Sequence, residues 1–133
     1  MCNDPLRCQM KLQVWIEGTK QLDFAQAIHQ SSLKSYKFRL NEHSKKRQFQ
    51  RAIAQHELIS IIKHGEIIHH RIVGKYSRSI VLGRLSVHGR PLHVVLEYRH
   101  DEQVVEVVTI YDPRTKQMWD KEFKKKICFC DQE

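Results

Sequence analysis

The strongest constraint on this chain is a series of three apolar-rich runs, Ser79–Val87, Leu92–Arg99 and Val104–Tyr111, separated by only four residues each. Runs of this length, rich in Val, Ile, Leu and Tyr, read as strands. His88-Gly89-Arg90-Pro91 and His100-Asp101-Glu102-Gln103 are too short to be anything but turns between antiparallel neighbours. If both close as simple hairpins, Leu92 faces Val87 and Arg99 faces Val104. One sheet face then carries Val81, Leu85, Val87, Leu92, Val94, Leu96, Tyr98, Val105 and Val107, with Thr109 and Tyr111 at its end. That face must be covered. The opposite face carries Arg84, Ser86, His93, Val95, Glu97, Glu106, Val108 and Ile110, which predicts a surface open to water or a ligand.

The cover comes from upstream. Gln55 to His64 reads as a helix with Leu58, Ile59, Ile61 and Ile62 as its buried stripe, and Gly65 as its stop. Asn41 is an N-cap for a preceding helix, with Glu42 in the first turn. That helix is almost wholly polar and is anchored by Phe49 and Ile53. Tyr36–Leu40 alternates and reads as a short strand. Leu22, Phe24, Ala25 and Ile28 suit a short amphipathic helix ending at Gln30-Ser31-Ser32. Met10, Leu12, Val14 and Ile16 alternate with polar positions and Trp15, which predicts a further strand stopped by Gly18. The expected fold is α+β: an N-terminal strand and helices packed on one face of a C-terminal antiparallel sheet.

At 133 residues the chain has room for one modest core, and residues 1–133 read as a single domain. No apolar run is long enough to cross a bilayer. Asn3, Asp4, Arg7 and Lys11 interrupt any secretory leader, so a cytoplasmic location is expected. Scarce Gly and Pro and the absence of a heptad exclude collagen and coiled-coil classes. The formal charge is +8, and it is concentrated. Between His29 and Arg99 stand fourteen Lys/Arg against Glu42, Glu57, Glu66 and Glu97. A basic middle, with flanks that taken together are net acidic, favours an anionic partner, nucleic acid before a membrane surface. The plain alternative is a charged surface that keeps the protein solvated.

His43, Arg47 and Arg51 recur every four residues and line one side of the polar helix. An imidazole followed by two guanidiniums suits a phosphodiester, because guanidinium offers paired donors to phosphate oxygens and imidazole exchanges protons near neutral pH. A merely solvated helix face is the alternative. Arg84 and His93, near Ser86, would form a second anion patch, unless Arg84 balances Glu97 and Glu106. The nine histidines form no recognisable metal set and no acidic cluster suits a two-metal nuclease, so no cofactor is expected. Cys2, Cys8, Cys128 and Cys130 sit at the chain ends; free thiols are the default reading, and a zinc knot joining the termini is the minor one.

From Tyr36 to Trp119 the sequence resembles the bacterial domain-of-unknown-function family 4258. The resemblance rests on Phe38-Arg39-Leu40-Asn41-Glu42-His43, on Arg47 and Arg51-Ala52-Ile53, and on Glu57 and Gly65-Glu66-Ile67-Ile68. It continues through Gly89-Arg90-Pro91-Leu92-His93-Val94-Val95, then Val107-Val108-Thr109-Ile110-Tyr111-Asp112-Pro113, and Trp119. Ser44 stands where Ala is common and Ala52 where Gly usually follows the second Arg. A strand-helix extension over 1–35 and the basic Cys-bearing tail over 120–133 lie outside it. The family has been grouped with barnase-, EndoU-, colicin- and RelE-like ribonuclease folds, so the resemblance implies a RelE/barnase-like α+β domain and a toxin-type ribonuclease.

The resulting expectation is a metal-independent endoribonuclease that forms a 2′,3′-cyclic phosphate. His43 or His93 would move the proton, and Arg47, Arg51 or Arg84 would hold the phosphoryl charge. Thr109 joins the candidates through its family position, although simple hairpins put it on the face opposite His93 and only a bulge would unite them. Lys46, Arg84 and Arg90 would contact nucleic acid. RNA is the expected partner, with an antitoxin or immunity protein as a second. The alternative is a non-catalytic RNA- or protein-binding module, stapled by zinc or not.

Overall fold

A computed structural model describes residues 5–127, apart from 21, 88, 116 and 117. The elements are α1 (Pro5–Glu17), α2 (Leu22–Ser35), β1 (Lys37–Leu40), α3 (Glu42–Gln50) and α4 (Gln55–His64), followed by β2 (Glu66–Val73), β3 (Tyr76–Arg84), β4 (Pro91–Arg99) and β5 (Val104–Tyr111). The class is α+β. The sheet order is β1-β5-β4-β3-β2, an antiparallel meander with β1 added in parallel at the β5 edge.

One face of this sheet is the main core. Val81, Leu92, Val94, Leu96, Tyr98, Val105, Val107 and Ile110 lie against Ala25 of α2 and the Leu58, Ile61 and Ile62 stripe of α4. Burying each Leu or Ile contributes about 1.5–3 kcal/mol, so α4 is held by packing more than by propensity. Gly83 allows the approach: a Cβ there would lie 2.4 Å from Ile61 Cγ2. His29 ties the layers together. Its Nε2–H donates to the Ile62 carbonyl at 2.7 Å, which leaves Nδ1 to accept from the Tyr98 hydroxyl at 2.7 Å. Burial holds this imidazole below its ordinary pKa.

Four expectations are corrected. Residues 10–16 are helical, part of α1. The side that packs is Cys8, Leu12 and Trp15, at helical spacing, while Met10, Val14 and Ile16 are exposed; a seven-residue alternation fitted both periods. Helix α2 runs on to Ser35, because Ser32 is buried on the same stripe as Ala25 and His29. A strand not expected in its own right, β2, pairs with β3. Its alternation is hidden by an irregularity between Ile67 and His69, which leaves Ile67 and Ile68 in different clusters. The β3–β4 register is four residues away from the simple hairpin: Gly83 faces Leu92, and Val87 is left exposed. The shift is even, so each side chain keeps its face.

The second face is also not open along its length. Trp15 of α1 and Met118, Trp119 and Phe123 of the C-terminal segment cover Ile68, Ile80, Leu82 and Tyr111. Beyond this cover the face carries an ion-pair network. Glu97 lies between Arg78 (2.7 Å) and Arg99 (3.1 Å), and Glu106 between Arg39 (2.9 Å) and Arg99 (3.6 Å). These arginines, and not Arg84, neutralise the two sheet carboxylates.

Candidate functional site

The site begins where β1 stops. Leu40 faces Val107, and the chain then turns into α3, with Asn41 Oδ1 accepting from the Ser44 N–H at 2.8 Å. That bond satisfies one of the helix's unpaired amides and sets its start. Among the described residues no strand pairs with the last residues of β5 on this side, and α3 packs there instead.

A bulge in β5 decides what α3 meets. Leu96 faces Val107 but Val95 faces Thr109, so Val108 is the extra residue. Beyond it the facing of β5 is inverted: Ile110 enters the main core beside Val94, and Thr109 and Tyr111 turn to the face of Val95 and His93. Thr109 Oγ1 then lies 3.0 Å from His43 Nε2. The imidazole is exposed, and Arg47 and Arg51, the next two members of the row, are half-buried.

The far end of α3 is built to hold Arg51. Arg51 caps the helix, and Ala52 turns the chain with φ +52°. The sharp turn usual for Gly is therefore made by Ala. Arg90 Nη2 donates to the Arg51 carbonyl at 2.6 Å, and Gln48 Nε2 to the Ile53 carbonyl at 3.1 Å. Asp112, at the end of β5, accepts from the Arg114 amide (2.9 Å) and guanidinium (2.8 Å). Burial pushes the Asp112 carboxyl up, but the bonds and charge of Arg114, with the charge of Arg51, outweigh it and hold the group below its ordinary range. The result is a strip carrying His43, Thr109, Arg47 and Arg51, bordered by Arg90 and Arg114, with Asp112 as the carboxylate at its end.

The other candidates are placed differently. His93 is fully buried. Its Nε2–H donates to the Phe123 carbonyl at 2.7 Å, and Nδ1 accepts from the Tyr111 hydroxyl at 3.1 Å. Burial pushes it down to about 4. An imidazole with both nitrogens bonded and no exposed surface cannot reach a substrate proton, so the bulge unites the faces of His93 and Thr109 without uniting the two residues in one site. Arg84 is exposed on β3 and donates to the Gly89 carbonyl at 3.1 Å. The Ser86 amide is bonded to Glu57 at 3.2 Å, so no patch of Arg84, Ser86 and His93 forms. Lys46 is exposed on α3. Cys8 is buried, whereas Cys2, Cys128 and Cys130 lie outside the described residues. Among the described residues no group of three or more His, Cys, Asp or Glu is placed to hold a metal ion, and no helix is long and apolar enough to cross a membrane.

Asp112 and Arg114 join this site without having been expected in it. Their signal was present: Asp before Pro-Arg at a strand end is an Asx turn in waiting.

No curated protein and no solved structure matches the chain. The family described as Domain of unknown function (DUF4258) matches residues 40–112, which include α3, α4 and the whole of β2 to β5. That span is more than half of the chain, and the protein belongs to this family.

Proposed function

We propose that this protein is a metal-independent endoribonuclease of toxin type, with its active site on the α3–β5 strip. The observation that carries the reading is the His43–Thr109 contact beside Arg47 and Arg51. With the proton on Nε2, His43 donates to Thr109 Oγ1, which orients the ring and leaves Nδ1 as the acceptor. Nδ1 makes no hydrogen bond among the described residues.

The step is an internal transfer. The ribose 2′-oxygen bonds to phosphorus as its proton passes to His43 Nδ1. The bond to the 5′-oxygen breaks, and that oxygen leaves with a proton from water. Arg47 and Arg51 hold the non-bridging oxygens, where their charge acts most strongly as the phosphorane develops. Arg90 and Lys46 extend the basic surface along the strand. The same surface is what an acidic antitoxin or immunity protein would cover.

The test is RNA incubated with the purified protein in EDTA, comparing wild type, His43→Ala and Thr109→Val. Cleavage that survives chelation, ends in a 2′,3′-cyclic phosphate and falls 10²–10⁴-fold in His43→Ala is the expected result. Intact RNA, or cleavage that His43→Ala leaves unchanged, overturns it. Salt-sensitive binding without cleavage would make the chain a binding module.

A further inference from the structure

A cavity of about 370 Å³ lies between α1 and the second face of the sheet. One wall is the indole of Trp15, stacked on His69 with ring centroids 3.8 Å apart and planes 14° from parallel. The floor is Ile80 and Val95. Lys11, Arg71, Arg78 and Lys126 also line it, and none of its described lining residues is a carboxylate. Arg78 is anchored by Glu97 at 2.7 Å. Lys126 lies 5.4 Å from the Trp15 ring and 5.6 Å from that of Trp119. An aromatic wall, an apolar floor and several cations describe a ligand with a flat ring and an anionic group.

The register ties this cavity to the site on α3. His69 faces Ile80, Ile80 faces Val95, and Val95 faces Thr109. These four residues form one row across the sheet, and the row ends where Thr109 meets His43. Strands are spaced about 4.8 Å apart, so the floor starts roughly 5 Å from Thr109 and reaches His69 about 14 Å away.

We propose that this cavity is a subsite for one nucleotide flanking the scissile bond, its base against Trp15 and its phosphate on Lys11 and Arg71. The placement along a strand rests on the ribonuclease reading; the nucleotide chemistry does not. Stacking of a base on an aromatic ring tolerates any base, so the subsite would add affinity with little sequence preference. Lys11, Val14, Trp15 and Lys126 fall outside the span that matches the family, so the subsite is assembled around the family's sheet by this chain's own ends.

Tryptophan fluorescence of the full chain, titrated with adenosine and uridine 5′-monophosphates, with a short RNA oligonucleotide and with inorganic phosphate, tests this. His43→Ala is used beside wild type to keep the RNA intact. The expected result is saturable quenching by both mononucleotides, tighter binding of the oligonucleotide, and little response to phosphate. Arg71→Glu, an exposed position, should weaken nucleotide binding at least tenfold with an unchanged melting temperature, and Trp15→Phe should retain binding that Trp15→Ala loses. Phosphate binding as well as nucleotide, or no effect of Arg71→Glu, overturns the subsite. A mononucleotide that binds as tightly as the oligonucleotide overturns its placement along a strand. Nucleotide binding by a protein that leaves RNA uncut keeps the cavity and discards the ribonuclease reading; cleavage with no nucleotide binding does the reverse.

Discussion

Acid should destabilise this fold well above the pH at which carboxylates titrate. His69 and His93 are both buried in the second-face cluster, and burial pushes each from 6.5 down to about 4. For His69 the neighbouring charges of Arg71 and Lys126 add to the effect. In the unfolded chain both regain the ordinary histidine value. Between pH 6.5 and 4 the unfolded state therefore binds protons that the native state refuses, so stability falls as pH falls. At 1.36 kcal/mol per pKa unit, the depression corresponds to roughly 3 kcal/mol for each histidine, fully present above pH 6.5 and lost progressively towards pH 4. Two such groups are a large part of the 5–15 kcal/mol that holds an ordinary domain. His29 and His70, also held low by burial, add in the same direction. Asp112 contributes with the same sign but in a lower window. Urea unfolding at several values between pH 7.5 and 5 gives the slope. His93→Gln and His69→Gln should each remove about one proton from it, whatever they do to the absolute stability. A stability that is flat over this range, or a slope that His93→Gln leaves intact, would refute the reasoning.

Two further outcomes follow from the backbone. Ala52→Gly should stabilise the protein by about 1 kcal/mol in thermal or urea unfolding, because Ala52 holds φ +52° and glycine adopts that region without a Cβ clash. Gly18→Ala should loosen α1, since a Cβ at Gly18 would lie 2.0 Å from His69 Nε2; a changed Trp15 emission and a lower melting temperature would register it, and an unaltered spectrum would contradict the close approach.

Much of the sheet and of the α3 row was legible because its signals are local. The α4 stripe, the Asn41 cap and the pairing of Arg99 with Val104 depend on residues near one another in sequence, and each is where the pattern placed it. The β3–β4 register departs from the simple hairpin because its turn is wider than Gly-Arg-Pro suggests, with the Leu85 amide reaching the Arg90 carbonyl. His93 and Arg84 looked like neighbours on an open face because nothing in their own strands reports that the segment around Phe123 returns to cover His93. The Trp15–His69 wall was hidden for a similar reason: α1 read as a strand, and its partner is fifty-four residues away.

From its own order of residues the chain determined its class, the buried stripe of α4, the faces of β3 and β4, its basic middle and the helical alignment of His43, Arg47 and Arg51. Only the tertiary structure decided which groups meet them. A single extra residue at Val108 inverts the facing of the rest of β5, and that inversion delivers Thr109 to His43 and Ile110 to the core. Periodicity reveals which side a residue takes within a strand, but a bulge is fixed by hydrogen bonds to a neighbouring strand and by the packing on both faces.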